Sequence, residues 1–147
     1  MLERLVAAAG QRLEVSAGGW RITPSIAELS DTWQETPHGE RIDWTRIRGF
    51  VDWMRLHPDR LEAAIAAPPP RTKSPQLDNL LAAVAEKSAD DLGRRRPRWC
   101  SAVAPLAEPW RSRGTPRMTE RAAQSSPSQF KERNIWLAED NLWRKSA

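Results

Sequence analysis

SPQLDNLLAAVAEKSADDLG, residues 74–93, is the stretch on which the fold turns. Ser74 can cap a helix with its hydroxyl, and Pro75 suits a first helical position because its missing N–H would have no partner there anyway. Leu77, Leu80, Leu81 and Val84 then recur at three- and four-residue spacing, the period of a helix with one apolar face turned inward. Leu92-Gly93 closes the run. A helix from Pro75 to about Asp91 needs other helices to cover that face.

Upstream, Pro68-Pro69-Pro70 with Arg71-Thr72-Lys73 makes a stiff connector at 68–73. Before it, Pro58 starts a short helix with Leu61, Ala64 and Ile65 as its apolar positions. His57 ends the preceding one, since a residue before proline is turned away from the helical state. That preceding helix is the clearest of the first half: Asp43 is its N-cap, and Trp44, Ile47, Phe50, Val51 and Met54 form its stripe. Residues 24–42 read as mostly irregular, with a short helix at Ser25 to Leu29. The short alternating strand after Gly10, ending at Val15, and Trp20 to Thr23, joined by Ser16-Ala17-Gly18-Gly19, read as a hairpin that must lie on helices to be stable.

Downstream the periods shorten. Gly93 and Pro97 bracket an arginine run, and brief elements follow at Trp99 to Leu106, Pro116 to Ala123 and Pro127 to Glu132. The last two each begin with proline behind a small polar residue. Ile135 to Leu137 read as a short strand, and Glu139 to Trp143 as a terminal turn. The fold class expected is mainly α, with four to six helices and one short β-hairpin or small sheet. Its organisation is a remnant at 1–23 followed by a helical domain over 24–147.

Composition sets bounds on this picture. In 147 residues only 39% are hydrophobic and 29% are charged, so the core is thin. Eight tryptophans, with no tyrosine, carry much of the apolar area. One cysteine cannot close an internal disulfide and fits a reducing compartment. With no apolar stretch of about 18 residues and no signal-peptide pattern, the expected location is cytoplasmic, with no membrane partner. Charge is uneven: residues 1–67 hold 8 basic and 10 acidic side chains, and residues 68–147 hold 15 and 9. A basic half can meet nucleic acid or an acidic protein. Arg94, Arg95, Arg96 and Arg98, followed by Trp99, are the candidate nucleic-acid contacts, with a solvated linker as the favoured alternative.

Groups that would carry catalysis are sparse. His38 and His57 have no second ligand at a metal-binding spacing, and His57 suits capping of helix carbonyls. Cys100 reads as a small buried hydrophobe, and Asp90-Asp91 as a solvated helix end. The sequence has no phosphate loop, GxSxG, HExxH or dinucleotide fingerprint. The expectation is no enzyme, no cofactor and no metal site.

Two further stretches carry a resemblance. LERLVAAAGQRLEV, residues 2–15, buries Leu2, Leu5, Val6 and Ala9 on one helical face with nothing before it to cover that face. It resembles the last helix and exit strand of bacterial Xre-like helix-turn-helix domains. RPRWCSAVAPLAEPW (96–110), GTPRMTERA (114–122) and SPSQFKERNIWLAEDNLW (126–143) resemble the C-terminal extension of antitoxins and regulators of that family encoded beside a toxin gene. The matching pieces are Pro97 with Trp99, Pro109 with Trp110, Pro127 with Phe130, Arg133 to Trp136, and Leu142 with Trp143. The resemblance implies a non-catalytic antitoxin that neutralises a protein toxin by direct binding, the toxin being nucleotidyltransferase-like in related systems. The alternative it implies is a transcriptional regulator on operator DNA. With the DNA-reading helices missing, that contact is expected to be weak and salt-sensitive. Large aromatic area and fixed guanidinium donors mark interface anchors, so Trp99, Trp110, Arg133, Trp136, Trp143 and Arg144 are the candidate partner-binding residues. Trp136 and Trp143 can equally serve as a lid that docks the tail on the two strong helices.

Overall fold

The computed structural model describes residues 23–111 and 114–145. Among these are six α-helices: α1 (Trp44–Leu56), α2 (Leu61–Ala66), α3 (Pro75–Asp91), α4 (Arg98–Ser101), α5 (Pro116–Ser125) and α6 (Ser128–Lys131). Three 3-10 turns, Ile26–Thr32, Pro58–Arg60 and Glu139–Asn141, link them. Two antiparallel strands, β1 (Trp33–Thr36) and β2 (Gly39–Ile42), form a hairpin, and β3 (Trp110–Arg111) pairs in parallel with β4 (Ile135–Trp136). The molecule is mainly helical with small β elements, as the periodicity predicts.

Helix α3 is the axis. Its start and stop follow local chemistry: Ser74 Oγ accepts the Leu77 N–H (3.1 Å), with Pro75 in the first turn. At the other end Gly93 takes a left-handed φ of 65°, letting its N–H reach the Asp90 carbonyl and the Arg94 N–H reach that of Ala89. These two bonds add to the Leu92 N–H on the Ala89 carbonyl (3.2 Å) in satisfying the last carbonyls of the helix. The expected single inward face proves too narrow, because every residue from Asn79 to Ala89 is buried. Helices α2, α4 and α6 and the first 3-10 turn all pack on α3, so it is covered all round. Each of Leu77, Leu80, Leu81 and Val84 removes about 1.5–3 kcal/mol worth of apolar surface from water.

Around this axis the sequence signals hold. Asp43 Oδ1 caps α1 by accepting the Arg46 N–H (3.3 Å), and Ile47, Phe50, Val51 and Met54 are buried, while Trp44 is half-exposed at the rim. His57 ends α1 with its backbone N–H on the Met54 carbonyl and Nδ1 2.9 Å from that of Trp53. The connector 68–73 is docked: Arg71 donates to the Ala102 carbonyl (2.6 Å), and Thr72 donates its N–H to Asp78 (3.0 Å).

The stretch 24–42, read as mostly irregular, carries a hairpin at 33–42. The hairpin expected over 11–23 and the helix before it lie outside the described residues apart from Thr23. Pro37-His38 makes the β1–β2 turn, with Gly39 at φ 111° and Thr36 Oγ1 donating to the Gly39 carbonyl (2.6 Å). Trp33 and Ile42 face each other across the ribbon and pack toward the core. No helix of the described residues is long and apolar enough to cross a membrane.

Candidate functional site, a tryptophan–arginine groove

The residues singled out by sequence separate into core and surface. Arg133 belongs to the core and is 5% exposed, which corrects its reading as a partner contact. Its position follows from the turn after α6, where Asn134 adopts a left-handed φ of 65°. All five guanidinium N–H groups are used. Nε and Nη2 grip the Glu86 carboxylate (2.8 and 3.1 Å), Nη1 donates to Asn79 Oδ1 (2.9 Å) and the Val103 carbonyl (2.8 Å), and Nη2 also donates to the Cys100 carbonyl (2.7 Å). Nothing remains to offer a partner. Glu86 and Asn79 were not singled out by sequence, although two polar residues seven apart inside an apolar helix are a signal for such a network.

The other tail residues are mostly engaged as well. Trp99 donates its indole N–H to the Ile65 carbonyl (2.8 Å) and packs half-buried on the core. Trp143 packs edge-on against Phe130 and sits 4.8 Å from Lys87 Nζ, closing the core as a lid. Lys87 is itself bound to Asp91 (2.8 Å) and Glu139 (3.0 Å). Burial pulls the pKa of Lys87 down, but the two carboxylates outweigh it and hold the ammonium above its ordinary value. Arg144 pairs with Asp52.

In the arginine run, Arg96 binds Asp90 (2.6 Å) and Arg94 lies 3.4 Å from Glu62. The bond from Arg96, helped by Gln129, holds the Asp90 carboxyl below its usual range against the opposing effect of burial. Asp90 and Asp91 are therefore engaged by the protein's own cations. Arg95 and Arg98 are exposed. The run thus splits, two arginines fastening the end of α3 and two facing solvent.

What remains is Trp110, and it leads to the site. A groove of about 940 Å³ runs between the hairpin, the start of α1 and β3. Trp33, Trp44 and Trp110 line it together with Arg41, Arg48 and Arg111. The Trp44 and Trp110 rings lie 25° from parallel, with centroids 6.2 Å apart. Parallel pairing in register, Trp110 with Ile135 and Arg111 with Trp136, brings Trp136 beside Arg111, whose guanidinium sits 5.5 Å from its ring. Arg48 is oriented by donating Nε–H to the Asn141 carbonyl (2.7 Å). Among the described residues, none of these three arginines has a carboxylate within 4.0 Å. Of the residues that line the groove, Trp110 alone was singled out by sequence as a partner contact, and the contributions of β1, β2 and α1, distant in the chain, were not.

The groove offers contact area and fixed donors. His38 stands exposed at the hairpin turn, away from Cys100, which is buried in the core. Burial pushes the Cys100 thiol up to about 12, with the Glu86 charge adding to the effect, and its Sγ is turned toward the Ala82 carbonyl. A nucleophilic cysteine needs the reverse shift. Among the described residues no three His, Cys, Asp or Glu side chains are grouped to hold a metal ion. No protein-family model, curated protein or solved structure matches the chain.

Proposed function

We propose that this chain is a non-catalytic binding protein of the cytoplasm that holds a protein partner in the tryptophan–arginine groove, as an antitoxin holds its toxin. The observation that carries the reading is the convergence on one concave surface of three indoles and three guanidinium groups that meet no carboxylate within 4.0 Å among the described residues. Half-exposed tryptophan beside arginine is the composition of interface anchors, because the indole gives large contact area and the guanidinium several donors in a fixed fork. The C-terminal phrases that resemble toxin-linked antitoxins add the kind of partner, a protein toxin. The groove residue Trp110 lies within one of those phrases.

The operator-binding alternative has less support. Two of its four arginines, Arg94 and Arg96, are already paired with Glu62 and Asp90.

Coexpression with the product of the adjacent gene tests the proposal. The expected result is copurification and relief of that product's toxicity, both lost in a Trp110→Ala, Arg111→Ala double variant. Independent purification of the two proteins, with toxicity unrelieved, would contradict it.

A further inference from the structure

Trp33 borders more than the groove. The same indole lines a second depression of about 440 Å³ with Glu35, Arg71 and Lys73, and Arg71 in turn lines a third, beside Pro69 and Trp99. Depressions that share a side chain make a track, and a track suits a linear ligand. Five cations stand along it: Arg41, Arg48, Arg111, Arg71 and Lys73. None has a carboxylate within 4.0 Å among the described residues, whereas Arg94 and Arg96 at the end of α3 do.

We infer that this track takes an extended, acidic segment of the partner protein, an inference that rests on the protein-binding reading above. Acidic side chains on such a segment meet these five cations, while its apolar side chains lie on the indoles. The backbone matters too. Among the described residues the hairpin and the β3–β4 pair are each two-stranded, so strands bordering the groove have an edge with no strand partner there, and an extended peptide can hydrogen-bond to such an edge. A single-stranded nucleic acid shares the taste for arginine and tryptophan but fits less well. Its evenly repeated phosphates would meet Glu35, Glu40, Asp43 and Asp78, which line the same track. A peptide can place neutral residues opposite those carboxylates.

Fluorescence anisotropy on the full chain gives the test. The probes are a fluorescein-labelled peptide alternating Glu-Asp pairs with Leu, the same peptide with Lys at the acidic positions, and an oligothymidylate of equal length. The acidic peptide is expected to bind, with affinity falling as salt rises, and at least about tenfold weaker in an Arg41→Ala, Arg111→Ala variant. Tighter binding of the lysine peptide or the oligothymidylate, or no binding of the acidic peptide, would overturn the inference. An unchanged circular dichroism spectrum keeps the variant interpretable, and an Arg71→Ala, Lys73→Ala variant repeats the test at the other end of the track. Failure here with copurification of the adjacent gene product intact removes the acidic-segment inference alone. Loss of copurification removes the protein-binding reading instead.

Discussion

The core around Arg133 and the groove around Arg111 use arginine and aromatic side chains in opposite ways. Arg133 has every N–H donor matched by an acceptor inside the protein, with Glu86 supplying the opposite charge. Arg111 lies over Trp136 at the surface and meets no carboxylate among the described residues. A saturated arginine fixes structure, since moving it would leave buried partners unpaired. One whose charge is unmatched can still bind another molecule. The two tryptophans follow suit: Trp143 closes the core over Lys87 and Phe130, whereas Trp110 opens onto the groove. This division predicts that stability and binding will separate under mutation.

Arg133→Ala should produce the largest effect. Glu86, only 6% exposed, would lose its bidentate partner and keep only Arg96 at 3.5 Å, and breaking a buried pair in this way costs about 3–5 kcal/mol. Urea unfolding measures it. Adding Glu86→Leu should restore at least about 1 kcal/mol by removing the stranded charge, though the Cys100 and Val103 carbonyls still lack their donor. A single-variant loss below about 1 kcal/mol would break the contrast between the two regions.

Lys87→Met comes next, with an expected loss of about 1–2 kcal/mol, because the stem still packs while the bonds to Asp91 and Glu139 go. Its folded pKa is raised, so its contribution is complete below 10.5 and disappears as pH climbs through the higher folded value. Cys100 acts in the same direction. Its thiol ionises near 9.0 when unfolded and about 12 when folded, so stability should decline with rising pH between those values. Cys100→Ala should flatten that part of a melting-temperature profile, and an unchanged slope would count against burial of the thiol. At the acid end, Asp90 has a depressed folded pKa. Its share is present above 3.8 and should be lost as pH falls through the lower folded value.

The groove should show the smallest effects on stability. Arg111→Ala gives up one cation–π contact, about 0.5–1 kcal/mol, and Arg41→Ala should lie within about 0.5 kcal/mol of the parent. A larger loss in thermal unfolding would move these arginines to the structural side of the comparison.

Sequence reading reached α3 and α1 because their signals are local: Ser74 before Pro75, Asp43 before an apolar stripe, Gly93 at a stop. The β1–β2 hairpin was hidden because its Pro37-His38 turn lacks an Asn-Gly type signal, and Glu35 and Glu40 interrupt its apolar pattern. Arg133 looked like an interface residue for a different reason. Its partner Glu86 is 47 positions away, and only the packed helices bring the two together. The groove is non-local in the same sense, joining Trp33, Trp44 and Trp110 from three elements. One of its tryptophans was legible as a candidate, but the concave surface they share was not.

The most direct test of the account is capture of the adjacent gene product by three tagged chains: the parent, an Arg41→Ala, Arg111→Ala variant, and an Arg95→Ala, Arg98→Ala control with equal loss of charge. The account predicts that parent and control capture it equally, and that the groove variant does not while melting close to the parent. Equal capture by the groove variant, or loss confined to the control, would contradict it.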